Sequence, residues 1–170
     1  MKLERKGKVS SIKFPVSINM KDLIEAIKSQ LQGDSNLSYV ANDDIFIVPD
    51  EDIIPITASF PAIGIKDGPV TRDMDTHDTW NVLRVVSIII YQQLTTGESP
   101  LIGQADPKIY GILEIAAAVY TSLDENNLSI SGMYDARCTS ETESETIGFE
   151  ELVLQKKKLI FEYSKTEDRS

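Results

Sequence analysis

The residues best suited to chemistry lie in RDMDTHDTW, residues 72–80, where Asp73, Asp75 and Asp78 crowd His77, the one histidine of the chain. Three carboxylates and an imidazole could hold a hard or borderline divalent ion. Zinc is poorly served, because no second His or Cys lies nearby. The calcium-loop pattern fails too, with no glycine at the turn and no terminal Glu. Asp73-x-Asp75-Thr76 also has the form of the nucleophile loop of aspartate-dependent phosphotransferases, but that loop must follow a buried hydrophobic strand. Here it follows GPVTR and precedes the strand, so the order is wrong. Cys138 with His77 would be the one thiol and imidazole available as nucleophile and base. Cys138 falls in a strand-like segment, however, and no oxyanion feature is readable. The chain has no phosphate-binding glycine loop, no zinc-ligand spacing and no Gly-x-Ser-x-Gly elbow. The plain reading of residues 72–80 is the acidic tip of a hairpin, and Asp43, Asp44, Asp50, Glu51 and Asp52 read as a second solvated acidic loop. No catalytic residue, metal or cofactor is expected. A metal-dependent hydrolase built on Asp73, Asp75, His77 and Asp78 is the enzymatic alternative.

The elements that must carry these residues belong to one domain, since 170 residues can bury a real core. A net charge of −10 argues against generic nucleic-acid binding by the body. The charge is uneven: Lys2, Arg5, Lys6, Lys8 and Lys13 against Glu4 give residues 1–13 a net +4 and leave −14 for the rest. Residues 1–18 therefore read as a basic arm. A single cysteine allows no internal disulfide and fits a reducing compartment. No apolar h-region follows the basic start, and no apolar run could span a bilayer, so a soluble protein made in a cytoplasm is expected, with no membrane partner.

Met20, Leu23, Ile24, Ile27 and Leu31 form one helical stripe, with Asn19 as N-cap and Gly33 as the left-handed C′ residue. Ile45–Val48 reads as a short strand. Ala58–Lys66 reads as another, with Pro61 forcing an edge or bulge and Asp67-Gly68-Pro69 breaking it. Residues 79–93 are the strongest strand. Leu83, Val85, Ile89 and Tyr91 share one apolar face, and Trp80, Val82, Val86, Ile88 and Ile90 share the other. Such a strand is central, or a partner subunit buries its second face. Arg84 and Ser87 are its exceptions. After the loop of residues 94–106, Asp106-Pro107 opens a second helix with a stripe of Ile109, Ile112, Leu113, Ala116, Ala117, Tyr120 and Leu123, ended by Asn126-Asn127. A closing hairpin follows, with Gly148 at the turn. It brings Glu141, Glu143 and Glu145 near Lys156, Lys157 and Lys158, and residues 166–170 trail as a polar tail. The expected fold is α+β: a mostly antiparallel sheet with two helices packed on one face and a closing β-hairpin, over residues 19–165.

This succession resembles the tail terminator (tail-completion) proteins of long-tailed bacteriophages. The features that carry it are the helix MKDLIEAIKSQLQ, the strand SFPAIGIKDG, the long strand TWNVLRVVSIIIYQQ, the helix PKIYGILEIAAAVYTSLDENNL and the hairpin ARCTSETESET/ELVLQKKKLIFEYSK, roughly residues 19–165. The resemblance implies a structural virion protein with no catalytic activity. Copies form a ring, commonly six-fold, that caps the tail tube at the neck and joins it to the head. Its partners would be other copies, the tube protein, the head–tail connector, and genomic DNA passing through the lumen without sequence recognition. Subunit or tube contacts are expected at Arg72, Asp73, Asp75, His77, Asp78, Glu141, Glu143, Lys156, Lys157 and Lys158. Another neck component, a head-completion or connector protein, is the nearer alternative.

Overall fold

The computed structural model describes residues 19–94, 98–105, 108–149 and 151–168. The basic arm of residues 1–18 and the Asp106-Pro107 step lie outside the described residues. The order of elements is α1 (Met20–Gly33), β1 (Ile45–Ile47), β2 (Ala62–Met74), β3 (Thr79–Gln93), a one-turn α2 (Ser99–Ile102), α3 (Ile112–Leu123), β4 (Met133–Glu141), β5 (Glu145–Phe149) and β6 (Leu152–Asp168). The six strands form one sheet in the order β1-β2-β3-β6-β4, with β5 also on β6. Every pairing is antiparallel except β1 with β2. The fold is α+β, as the sequence predicts.

β3 is central, between β2 and β6. Its two apolar faces serve two cores. Val86, Ile88 and Ile90 meet Leu23, Ile24, Ile27 and Leu31 of α1 and Ile112, Ile115, Val119 and Leu123 of α3. Ile89 and Tyr91 face the other way and are covered by the 48–60 segment, through Val48 and Ile54, with Phe46 and Leu154. The sequence exception Arg84 is buried and pairs with Glu167 at 2.6 Å, their side chains 3% and 10% exposed. Such a pair needs its geometry, because each charge has given up most of its hydration.

Local chemistry explains the boundaries. Asn19 caps α1, its side-chain oxygen accepting from the Asp22 N–H at 2.9 Å. The left-handed glycine expected at residue 33 is not used. Gly33 is the last helical residue, and Asp34 ends the helix in an extended conformation. The Asp34 carboxylate accepts from the Asn36 N–H at 2.8 Å and so starts a 3₁₀ turn, Ser35–Leu37.

The strand expected to break at Asp67-Gly68-Pro69 instead runs through to Met74. One extra residue is absorbed as a bulge between Asp67 and Val70. Pro69 fits there because a bulge on an edge needs no ladder donor from it. Pro61 precedes the strand, after a cis bond to Phe60.

α3 begins at Ile112, with the Gly111 N–H held by the Glu114 carboxylate at 3.1 Å. Ile109 lies outside it, bridged to Gln104. The buried stripe is Ile112, Ile115, Ala116, Val119 and Leu123, while Leu113 and Tyr120 are 41% and 42% exposed. ILEIAAAVYTSL holds two overlapping apolar stripes, and the later start selects the other one.

The closing hairpin turns after Phe149, which pairs with Leu152; Gly148 lies inside β5. Its first arm is split into β4 and β5 around residues 142–144. The supposed tail partly extends the sheet, with Thr166 and Asp168 opposite Asn81 and Thr79.

Candidate functional site

Arg72–Asp78 form the end of the β2–β3 hairpin, and every residue in it is exposed. Its turn is held by the Asp75 and Thr76 N–H groups donating to the Thr79 carbonyl at 3.1 and 3.3 Å. The hydroxyls of Thr76 and Thr79 lie 2.6 Å apart, and the Asp75 carboxylate accepts from the Thr79 hydroxyl at 3.5 Å. Asp75 is thus a turn residue. Arg72 and Asp73, opposite Val82 and Asn81, project from opposite faces of the strand. Among the described residues no group of three or more His, Cys, Asp or Glu side chains is gathered as metal ligands would be. The Asp73-x-Asp75-Thr76 segment does follow a strand, contrary to the order read from sequence. The preceding residues of that strand, Pro69–Arg72, are exposed rather than buried.

Cys138 is no partner for His77. It lies opposite Phe161, which is level with Val86 on β3, seven residues from Thr79 at the tip. That separation is about 23 Å at the rise of an extended strand. Burial pushes its thiol pKa up, away from an activated nucleophile.

The lysine triplet makes its ion pairs within the protomer. Alternation sends Lys156 and Lys158 to one face of β6 and Lys157 to the other. Lys156, with 9% of its side chain exposed, lies 2.9 Å from Asp52, 3.6 Å from Glu145 and 3.8 Å from Glu51. Lys158 reaches Glu51 at 2.8 Å. The Tyr91 hydroxyl donates to the Glu51 carbonyl at 2.7 Å. These bonds strap residues 50–52 across the sheet. Lys157 donates to the Thr142 carbonyl at 2.7 Å and pairs with Glu141 at 3.2 Å, beside a shallow groove lined by Leu113, Ala117 and Tyr120. So Glu141 and Glu145 do meet the lysines, as expected from the hairpin, whereas Glu143 makes none of these ion pairs. Lys156 and Lys157, expected as contact residues, are buried and engaged inside their own protomer.

Sequence reading missed Glu51 and Asp52 as the lysines' partners and Tyr91 as the anchor of the Glu51 carbonyl. The signal was present in the matched triplets Asp50-Glu51-Asp52 and Lys156-Lys157-Lys158. No described helix is long and apolar enough to cross a membrane. In comparison with known proteins, no family model matches the chain and no match to a curated protein emerges.

Proposed function

We propose that this chain is a structural assembly protein of the tail-terminator type. Its copies would form a ring that caps the tail tube and joins it to the head, without catalysis. One observation carries the reading: the β2–β3 hairpin ends in an exposed acidic tip, Asp73, Asp75 and Asp78, where no metal-binding cluster is gathered among the described residues. The net charge of −10 suits a lumen that repels phosphate and lets DNA slide. Other copies, the tube protein and the connector are the partners in this reading.

The test is light scattering at several concentrations with negative-stain imaging, then joining of heads to tails by Asp73→Lys/Asp75→Lys. A ring with a hole wide enough for duplex DNA, together with impaired joining by a variant that melts normally, is the expected result. Stability should move by no more than about 0.5 kcal/mol, since both residues are exposed. Normal joining by that variant removes the tip from the mechanism.

A further inference from the structure

The two borders of the sheet differ. On the β4 side the border is covered at residues 136–138: Glu125 N–H donates to the Ala136 carbonyl at 2.8 Å, and Cys138 N–H donates to the Asp124 carboxylate at 2.7 Å. On the β1 side two runs of peptide groups have no strand partner among the described residues.

The first is on β1. Val48 N–H donates to the Ile65 carbonyl at 2.9 Å, so the peptide groups of Phe46 and Val48 face β2 and those of Ile45 and Ile47 face away. The Asn42 carbonyl takes the Ile45 N–H. The Ile45 carbonyl and both groups of Ile47 have no hydrogen-bond partner among the described residues. Beside them runs an open groove of about 520 Å³ lined by Met20, Ile24, Ile47 and Val48, with the charged Lys21 and Asp67. Ile47 is 50% exposed, and Asp67 has no ion-pair partner among the described residues.

The second run is on β2 beyond the bulge. Asp75 N–H bonds Thr79, so Asp73 and Thr71 also face β3, while Val70, Arg72 and Met74 turn their peptide groups outward. Their side chains share one face in the order apolar, basic, apolar, with Val70 36% and Met74 59% exposed.

These two runs complement each other. One offers an apolar groove with an exposed carboxylate; the other offers two apolar side chains flanking a guanidinium. They lie on the same border at different levels, β1 opposite residues 63–65 and the free β2 run at 70–74. β1 stands one strand farther out, which makes a step and a notch. A two-fold axis normal to the sheet sets the step of each copy into the notch of the other, and both runs are then paired antiparallel at once. We infer that the β2 segment Val70–Met74 of one copy adds as a strand to β1 of a second copy, its Val70 and Met74 against Met20, Ile24 and Ile47 and its Arg72 toward Asp67. This contact does not depend on the ring reading.

The test is disulfide trapping in the full chain with Cys138→Ser. Ile47→Cys and Arg72→Cys variants are mixed and mildly oxidised. The expected result is a cross-linked pair that forms from the mixture at least tenfold faster than from either variant alone. Ile47→Pro removes an outward N–H and one wall of the groove, and should weaken association at least tenfold by light scattering while melting normally. Should that variant fold poorly, Arg72→Asp alone should weaken association and Arg72→Asp with Asp67→Arg should restore it. A strict monomer at millimolar concentration overturns the inference, and so does an oligomer that never cross-links between positions 47 and 72. Neither result bears on head–tail joining by the acidic tip.

Discussion

Lys156 and Asp52, 104 residues apart in the chain, meet at 2.9 Å on the sheet face opposite the helices. The lysine is buried and the aspartate is 72% exposed in its side chain, so the two ends of the pair are unequal. Removing the aspartate strands a buried ammonium that still has Glu51 and Glu145. Removing the lysine frees carboxylates that water can take back.

Lys156→Ala should cost about 1–2 kcal/mol in urea unfolding, mostly from lost packing of the stem and the loosened strap. Proteolysis within residues 49–58 should quicken in the same variant. Burial works against the ammonium, but the Asp52 hydrogen bond and the charges of Asp52, Glu51 and Glu145 outweigh it and hold its pKa above the usual lysine value. A raised lysine pKa contributes stability that is complete below the unfolded value, about 10.4, and is lost as pH rises through the folded one. The difference between wild type and Lys156→Ala should therefore be flat from pH 7 to 9 and shrink only in strong alkali.

Gly64 is where a side chain would crowd the strap core. A Cβ there would lie 3.1 Å from the Tyr91 ring and 3.3 Å from Val48. Gly64→Ala should destabilise by about 1–3 kcal/mol through overpacking, read as a lower urea midpoint with an unchanged slope. A neutral result would mean that Tyr91 can swing aside.

Glu114 closes the N-terminus of α3. The Gly111 N–H is the main cause of its lowered pKa; burial opposes it, and Lys108 at 3.1 Å assists. A lowered carboxyl pKa contributes stability above the unfolded value and loses it as pH falls through the folded one. Glu114→Gln should cost about 0.5–1 kcal/mol at pH 7. The gap should close as pH falls through the lowered folded value, and calorimetry at pH 7 and in acid reads it.

Where one physical effect decided an element, the sequence revealed it. α1 has a single apolar stripe and a good cap, and β3 is β-branched on both faces; both were legible to the residue or nearly so. Where two solutions competed, it did not. The apolar run after Gly111 offers two helical stripes, and α3 took the one that its start at Ile112 allowed. Gly68-Pro69 looks like a terminator, yet an edge strand can swallow it as a bulge. The acidic tip was read for what it is, a hairpin turn. The free borders of β1 and β2 were not legible at all, because which peptide groups remain unpaired depends on register, and register is a property of the whole sheet.

β6 lies in the middle of the sheet and yet follows every other element in the chain. During synthesis, then, β3 waits with one long border unpaired until residue 168 has been made. α1, β1, β2 and β3 can gather early, but the centre closes last, over contacts distant in sequence. Until then the nascent chain carries an apolar, open-edged intermediate, and growth temperature and chaperone supply should govern its yield more than the stability of the finished fold.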